Sequence, residues 1–255
     1  PEKRCIKVLG AKLLIKNYQI TNPGFTLAEV LITLGIIGIV AAMTMPALVA
    51  NYQRMVLKQQ YKKLYSTLSQ AYEKTVYDVG GTTDCYHVDI SKSDSYGLYS
   101  TAECKNEFKK ALEKNLIIAK ICETKGVENG CLLNNQYKGM DTLLTDSNPD
   151  ATDEEKESIQ TNCNNVTKSS LLNRNLVYVL NDGSIIIASN ASIPPVPMMI
   201  DINGQKGPNK WGYDLFKISF VKDGNNYKLY PTGCGIYDYE KGGITSLEMW
   251  KQMIQ

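Results

Sequence analysis

Residues 25–50 read FTLAEVLITLGIIGIVAAMTMPALVA, and one charged residue, Glu29, interrupts this apolar run. At about 1.5 Å per residue, a helix of this length exceeds the roughly 30 Å hydrocarbon core of a bilayer. A secretory signal peptide has a shorter apolar core with small residues after it, whereas here Gly24 precedes the run. An ordinary membrane anchor accounts for the length but not for an ionisable group, which is costly in a membrane. The run therefore predicts a spanning helix with a functional glutamate.

The junction at residues 24–32 reads GFTLAEVLI and resembles the cleavage and methylation motif of type IV prepilins and type II secretion pseudopilins. The resemblance implies that a prepilin peptidase cuts between Gly24 and Phe25 on the cytoplasmic face. It also implies that the same enzyme N-methylates the new amino terminus of Phe25. Residues 1–24 are then a leader that is removed, and residues 25–50 are kept as the transmembrane and polymerisation helix.

Glu29 has a predicted role in assembly together with Phe25. A carboxylate among apolar helices that has no positively charged partner costs on the order of several kcal/mol, as any unpaired buried ion does. Cleavage creates a positive amine at Phe25, so the amine of one subunit can pair with Glu29 of its neighbour and fix the register of the two helices. The alternative is a pair within one chain, between Glu29 and its own Phe25 amine.

Charge is unevenly distributed along the chain. Residues 1–24 hold five basic residues and one acidic residue, which gives a net charge of +4 against +2 for the whole chain, and the remainder therefore carries −2. The chain therefore has no general excess of positive charge that would favour the binding of nucleic acid. A basic leader on the cytoplasmic side follows the positive-inside rule, but Arg54, Lys58, Lys62 and Lys63 follow the apolar run closely on its other side, so charge alone leaves the orientation open. The grouping of six cysteines after the run and the resemblance to prepilins imply a single pass through the bacterial inner membrane with the head in the periplasm, followed by incorporation into a pilus or pseudopilus.

Residues 51–80 continue the helix with an amphipathic pattern that ends at Gly80-Gly81. Apolar residues recur at spacings of three and four, which gives the helix one face for a globular head formed by residues 81–255. The residues of this predicted face are Tyr52, Val56, Leu64, Leu68, Ala71, Tyr72, Val76 and Val79.

Cysteines are grouped on one side of the apolar run. One cysteine precedes the run and six follow it, which suggests disulfides in an oxidising compartment. Free buried thiols are the alternative, and zinc is disfavoured because no Cys-x-x-Cys pair exists and the chain has a single histidine. Cys122 and Cys131 are the first pair we expect, since a short glycine-containing loop joins them. The six candidates are Cys85, Cys104, Cys122, Cys131, Cys163 and Cys234.

The head combines helical and strand patterns. Residues 102–118 and 245–254 are predicted helices. Residues 176–180 with 184–188, and 216–221 with 227–230, flank turns rich in Asn, Asp and Gly and are predicted hairpins. With residues 198–202 between them, we expect an antiparallel sheet of four or five strands. The predicted fold class is α+β and pilin-like, with a long N-terminal helix (membrane half plus amphipathic half) packed on a small antiparallel sheet head and stapled by disulfides.

A glycine-rich segment, DINGQKGPNKWGYD at residues 201–214, resembles a loop found in many pilin-like and pseudopilin-like proteins. Asp201, Asn203 and Asp214 supply side-chain oxygens around a sharp turn. Calcium prefers such ligands, so these three residues are candidate metal ligands. A purely structural turn is the alternative.

Catalytic motifs are not apparent in the sequence. His87 is the only histidine, no nucleophile–base pair stands out, and no phosphate-binding or dinucleotide-binding fingerprint is present. We therefore expect no enzyme and no cofactor apart from calcium as a possibility at the glycine-rich loop.

The sequence thus favours a structural filament subunit, either a type IV pilin or a type II secretion pseudopilin. Its expected partners are copies of itself or other pilins and pseudopilins, the prepilin peptidase, an inner-membrane assembly platform and membrane lipid, with no nucleic acid. Alternatives are a minor tip pilin whose head binds DNA, a surface or a secreted substrate, and an anchored periplasmic protein that never assembles. The sequence does not separate a type IV pilus from a secretion or competence pseudopilus.

Overall fold

The structure is a computed structural model that describes residues 24–81, 88–89, 102–133, 137–139, 142–143, 152, 154, 167–174, 176–188, 198–223, 226–231 and 240–254. The predicted leader, apart from Gly24, lies outside these residues. The chain divides into two compact units, residues 1–49 and residues 50–255.

Helix α1 runs from Leu27 to Asp78 and includes Pro46. The helix ends in a glycine motif in which the Gly81 amide donates to the carbonyl of Val76 and the Gly80 amide to that of Tyr77. Both glycines have positive φ angles, of 94° and 79°, which suit a C-terminal cap of this type. The predicted long N-terminal helix is therefore confirmed, and glycine ends it for the expected reason.

The buried face of α1 lies within the second unit. Its buried residues follow helical spacing, as the sequence predicted, but they differ from the predicted face at several positions, among them buried Thr75, which that face omitted. Tyr61 is fully buried although the predicted face omitted it, and Tyr52 is 63% exposed although the predicted face included it. The apolar core of the head begins about two turns later than the pattern suggested. The buried residues are Tyr61, Leu64, Leu68, Ala71, Tyr72 and Thr75.

Helix α2 spans Ala102–Asn115 and is followed directly by a strand, β2, at Ile118–Cys122. The sequence analysis extended the helix to residue 118 and missed this strand. An apolar run such as residues 116–119 fits a helix or a strand equally well, so its local pattern does not decide. Antiparallel pairing with a later strand decides it, with Ile121 opposite Tyr178 and Cys122 opposite Val177.

Within the described ranges, the sheet has six antiparallel strands, β2 to β7, and a two-residue strand, β1, at Val88–Asp89. Strand β1 pairs in parallel with β6. Both predicted hairpins are present, as β3–β4 and β6–β7, and the strands that were not predicted are β1 and β2. The order is β1-β6-β5-β4-β3-β2, and β7 also pairs with β6. The strands are β3 Val177–Leu180, β4 Ile185–Ala188, β5 Met198–Asp201, β6 Leu215–Asp223 and β7 Asn226–Pro231.

Both faces of the sheet are covered by other parts of the second unit. A strand such as β4, Ile185–Ala188, is therefore apolar at every position and does not alternate between apolar and polar residues. One face packs against α1 and α2, where Tyr72 lies 4.8 Å from Phe220 between ring centroids. The other face packs against the loops that carry Trp211 and Tyr137. Adjacent residues of one strand therefore belong to different clusters, as Ile186 and Ile187 do.

Two local features complete the head. A disulfide joins Cys122 to Cys131, the pair expected first, with 6.4 Å between Cα atoms. The last helix, α3, spans Ser246–Ile254. It starts with a reciprocal cap, since the Thr245 amide donates to Glu248 at 2.8 Å and the Glu248 amide donates to the Thr245 hydroxyl at 3.1 Å. The side chains of the remaining disulfide candidates, Cys85, Cys104, Cys163 and Cys234, lie outside the described residues.

Candidate functional site

The first turn of α1 holds Glu29 in a capping box. The backbone amide and the hydroxyl of Thr26 both donate to Oε2 of Glu29 at 2.8 Å. In return the Glu29 amide donates to the Thr26 hydroxyl at 3.3 Å. This arrangement satisfies amides that a helix start otherwise leaves unpaired. Oε1 of Glu29 accepts no hydrogen bond from the described residues, so one carboxylate oxygen is available to a further donor.

Residues 27–49 present apolar side chains on every side of the helix. The most apolar 18-residue window of α1 has a mean hydropathy of 2.2, none of it is buried, and the helix is long enough to cross a membrane. A helix that is hydrophobic all round requires a protein core or a lipid environment. The exposed large side chains from Phe25 onward include Leu31, Ile32, Leu34, Ile36, Ile37, Ile39, Met43, Met45 and Leu48.

Gly35 and Gly38 lie within this apolar surface. A Cβ atom built on either glycine would meet nothing within 4 Å, so the backbone is open to a neighbouring helix at both positions. Small residues allow close approach between membrane helices. Pro46 does not end α1, which continues to Asp78.

The glycine-rich loop connects β5 to β6, and its two aspartates close it. Oδ1 of Asp201 accepts from the Gly204 amide at 2.7 Å, and Oδ2 accepts from the Tyr137 hydroxyl at 2.8 Å. Asp214 accepts from the Asn209 amide at 2.8 Å and from the Lys210 amide at 2.7 Å. The side chains thus replace the backbone partners that this tight connection cannot supply.

Both carboxyl groups are fully buried. Burial raises the pKa of Asp201 from 3.8 to about 8, and the charge of Asp214 adds to the shift, while hydrogen bonds from Tyr137 and the Gly204 amide oppose it. Burial also raises the pKa of Asp214, against hydrogen bonds from the Lys210 and Asn209 amides. The two carboxyl groups therefore carry less negative charge near neutral pH than exposed aspartates do.

The hydrogen bonds of the loop satisfy some, but not all, of the side-chain atoms of the predicted calcium ligands. Nδ2 of Asn203 donates to the Gly207 carbonyl at 2.8 Å. Its Oδ1 is buried and has no hydrogen-bond partner among the described residues. An orphaned oxygen beside two buried carboxyl groups fits a hard cation. Among the residues that the structure describes, no group of three or more His, Cys, Asp or Glu could hold a metal. Calcium at Asp201, Asn203 and Asp214 stays a prediction.

Two residues of these sites were missed at the level of sequence. The signal for Thr26 was present, because Thr-x-x-Glu before an apolar run is the capping-box pattern. Tyr137 had no such signal, since 64 positions separate it from Asp201. Folding alone brings the two together.

In the metal-free chain, the free energy of unfolding is expected to fall as pH rises from about 4 to about 8. The folded pKa of Asp201 is raised from 3.8 to about 8, so the folded chain binds more protons than the unfolded chain in this window. The stabilisation is complete below pH about 4 and is lost as pH rises through about 8, with a slope of at most about 1.4 kcal/mol per pH unit for one proton. Urea unfolding with EDTA at several pH values measures it, and Asp201→Asn should flatten the slope.

Asp182→Asn provides the control. Burial raises the pKa of Asp182, but hydrogen bonds from Ser184 and Lys63 outweigh burial and leave that pKa lowered, so this group does not contribute to a loss of stability as pH rises. Its replacement should leave the slope unchanged. Slopes that are equal in the wild type and in Asp201→Asn contradict the assignment. Millimolar calcium at pH 8 should stabilise the wild type more than Asp201→Asn if Asp201 is a ligand.

A long N-terminal apolar helix that continues into an α+β head with an antiparallel sheet defines a pilin-like fold. The comparison with known families agrees with this class. Residues 22–45 match the prokaryotic N-terminal methylation motif, the hallmark of type IV prepilin-like proteins. No curated protein and no solved structure matches the chain significantly.

Proposed function

We propose that this protein is a structural filament subunit, a type IV pilin or a type II secretion pseudopilin. A prepilin peptidase removes residues 1–24 and methylates the amine of Phe25. The subunit then assembles through α1 with copies of itself or with other pilins and pseudopilins. Before assembly, residues 25–50 span the bacterial inner membrane with the head in the periplasm, where an inner-membrane assembly platform receives the subunit.

One observation carries this proposal: the methylation motif lies at the start of a helix whose N-terminal part, residues 27–49, has an apolar surface with no buried residue. The motif covers residues 22–45 and the exposed surface covers residues 27–49. Lipid covers such a surface before assembly, and equivalent helices of other subunits cover it afterwards. The small residues Gly35 and Gly38 supply points of close approach between these helices.

The capping box of Glu29 supports a role in assembly. Both hydrogen bonds from Thr26 go to Oε2, which fixes the carboxylate at the helix start and leaves Oε1 for another donor. Cleavage turns the Phe25 nitrogen into a methylated, positively charged amine. In a filament, the amine of one subunit bonds to Oε1 of its neighbour, and neither charge is left unpaired among apolar helices.

The test is the N-terminus of the mature chain. The full chain, expressed together with a prepilin peptidase and isolated from membranes, is expected to begin at N-methylated Phe25 by intact mass and N-terminal peptide mapping. The Gly24→Val variant is expected to retain the leader, because the peptidase site at this position admits only a residue without a side chain. Gly24 is exposed and a Cβ there meets nothing within 4 Å, so this substitution leaves the fold intact.

Thr21→Ala lies just outside the matched motif and serves as the control, with cleavage expected at the wild-type level. A wild-type chain that keeps its leader, or that is cut after residue 50, contradicts the proposal. A mature chain that is methylated but absent from purified filaments contradicts the role in the shaft and leaves a tip-located or unassembled protein.

A further inference from the structure

A cleft of about 700 Å³ opens in the second unit between the first turns of its α1 segment and the β5–β6 loop. We call it the basic cleft, because its walls carry Arg54, Lys206 and Lys210 and no acidic residue. Its size lies within the range of roughly 300–1,000 Å³ that is typical of small-molecule sites. The other lining residues include Ala50, Tyr52, Val56, Leu57, Asn203, Pro208 and Tyr213.

The three cations of the basic cleft lack partners in the part of the chain that the structure describes. Arg54, Lys206 and Lys210 are all exposed, and none of them forms an ion pair or a side-chain hydrogen bond with a residue that the structure describes. Lys63, further along α1, contrasts with them because it pairs with Asp182 at 2.9 Å. Three uncompensated cations around one concave surface attract an anion, and the low-dielectric walls strengthen that attraction.

An apolar pocket of about 220 Å³ adjoins the basic cleft. The two cavities share Arg54, Leu57 and Tyr213 as walls. Beyond these residues the pocket is lined by Met55, Ile244 and Met249, among others. A cationic cleft beside an apolar pocket is complementary to an amphiphile, since the charged end of the ligand meets the cations while its carbon chain is buried.

The chain also fixes where this pair of cavities lies along α1. Ala50 ends the apolar run and lines the basic cleft. If residues 25–50 span the membrane, as in the proposed function on which this inference rests, the cleft opens at the level of the lipid headgroups. Tyr52 and Tyr213 fit this level, because tyrosine is enriched at membrane–water interfaces.

We propose that the basic cleft binds the phosphate headgroup of an anionic glycerophospholipid of the outer leaflet of the inner membrane. Arg54, Lys206 and Lys210 contact the phosphate, and the adjoining apolar pocket covers the glycerol and the first carbons of an acyl chain. The bound lipid holds the β5–β6 loop, and with it the head, at the membrane surface before the subunit is extracted.

The test uses the full chain in detergent micelles and measures lipid retention by native mass spectrometry. Phosphatidylglycerol is expected to be retained in preference to phosphatidylcholine, whose choline group cancels the phosphate charge. The double variant Lys206→Gln/Lys210→Gln is expected to bind phosphatidylglycerol about thirtyfold more weakly, the equivalent of about 2 kcal/mol for two lysines near a membrane surface.

The matched control is Lys110→Gln/Lys114→Gln, which removes the same charge from exposed lysines beside Glu107 and Asp78. Its retention of phosphatidylglycerol should equal that of the wild type. Equal retention by the wild type and by the Lys206/Lys210 variant overturns the proposal. Complete displacement of phosphatidylglycerol by millimolar inorganic phosphate also overturns it, because the adjoining apolar pocket then contributes nothing to binding and the ligand is a free anion. Neither readout requires leader cleavage, so a failure here is distinct from a failure of the proposed function.

Discussion

When Glu29 is replaced by glutamine, the amount of assembled filament is expected to fall by about a hundredfold or more, which is the effect of leaving one buried charge unpaired. The neutral side chain leaves the methylated amine of the neighbouring Phe25 without a counter-charge among apolar helices. Removing one partner of a buried ion pair costs about 3–5 kcal/mol, and each 1.4 kcal/mol is about tenfold in an equilibrium. The measurement is the fraction of the protein recovered in sheared filaments, quantified against the total by immunoblot.

Glutamine is the informative replacement because it preserves the helix start. Its carbonyl oxygen can accept from the Thr26 amide as Oε2 of Glu29 does, and capping boxes accept either residue at this position. Any loss of filaments then results from the loss of the negative charge and not from a weaker helix cap.

Thr26→Ala is the matched control for the Glu29 variant. It removes the hydroxyl that donates to Oε2 and that accepts from the Glu29 amide, while the backbone amide of residue 26 and the carboxylate remain. Assembly should remain close to the wild-type level. Equal losses in Thr26→Ala and Glu29→Gln contradict the charge-pair account, because they assign the effect to the helix start. Full assembly of Glu29→Gln contradicts it outright.

Gly204→Ala is expected to destabilise the head by about 3–5 kcal/mol. Gly204 has a φ angle of 63°, and a Cβ atom there would lie far inside contact distance of the Gly183 carbonyl oxygen. Its amide also donates to Asp201, so the loop cannot move away without losing that bond. Urea unfolding of the full chain in detergent, followed by the fluorescence of Trp211 and Trp250 together, measures the change.

Gly183→Ala separates backbone strain from the clash. Gly183 also has a positive φ angle, of 89°, but a Cβ atom there would meet nothing within 4 Å. Its replacement is expected to cost only about 1–2 kcal/mol, the usual penalty of the left-handed conformation. If the two variants lose equal stability, the close approach of Gly204 to Gly183 does not constrain the loop.

Elements defined by local patterns were predicted well. The long helix, both hairpins, the last helix and the Cys122–Cys131 pair follow from short-range signals such as helical spacing, turn residues and a short glycine-containing loop. The end of α2 was predicted wrongly because residues 116–119 suit a helix and a strand alike. Pairing of β2 with β3, about 55 positions away in the chain, removed the ambiguity.

The candidate sites divide in the same way. Asp201 and Asp214 were expected to supply side-chain oxygens around one sharp turn, but their full burial and the raised pKa of each come from packing against Tyr137 and the strands. The sequence showed the basic residues of the cleft as scattered single charges. Arg54 and Lys210 are 156 positions apart, and only the fold places them on one surface.

The sequence by itself determined the methylation motif, the apolar helix with its glutamate, and the alternation of strands and turns in the head, since each depends on residues within a few positions of one another. The tertiary structure decided which residues of α1 are buried, that both faces of the sheet are covered, that Tyr137 donates to Asp201, and that Arg54 lines one cleft with two lysines of the β5–β6 loop. These features depend on contacts between segments far apart in the chain, and a local pattern does not encode such contacts.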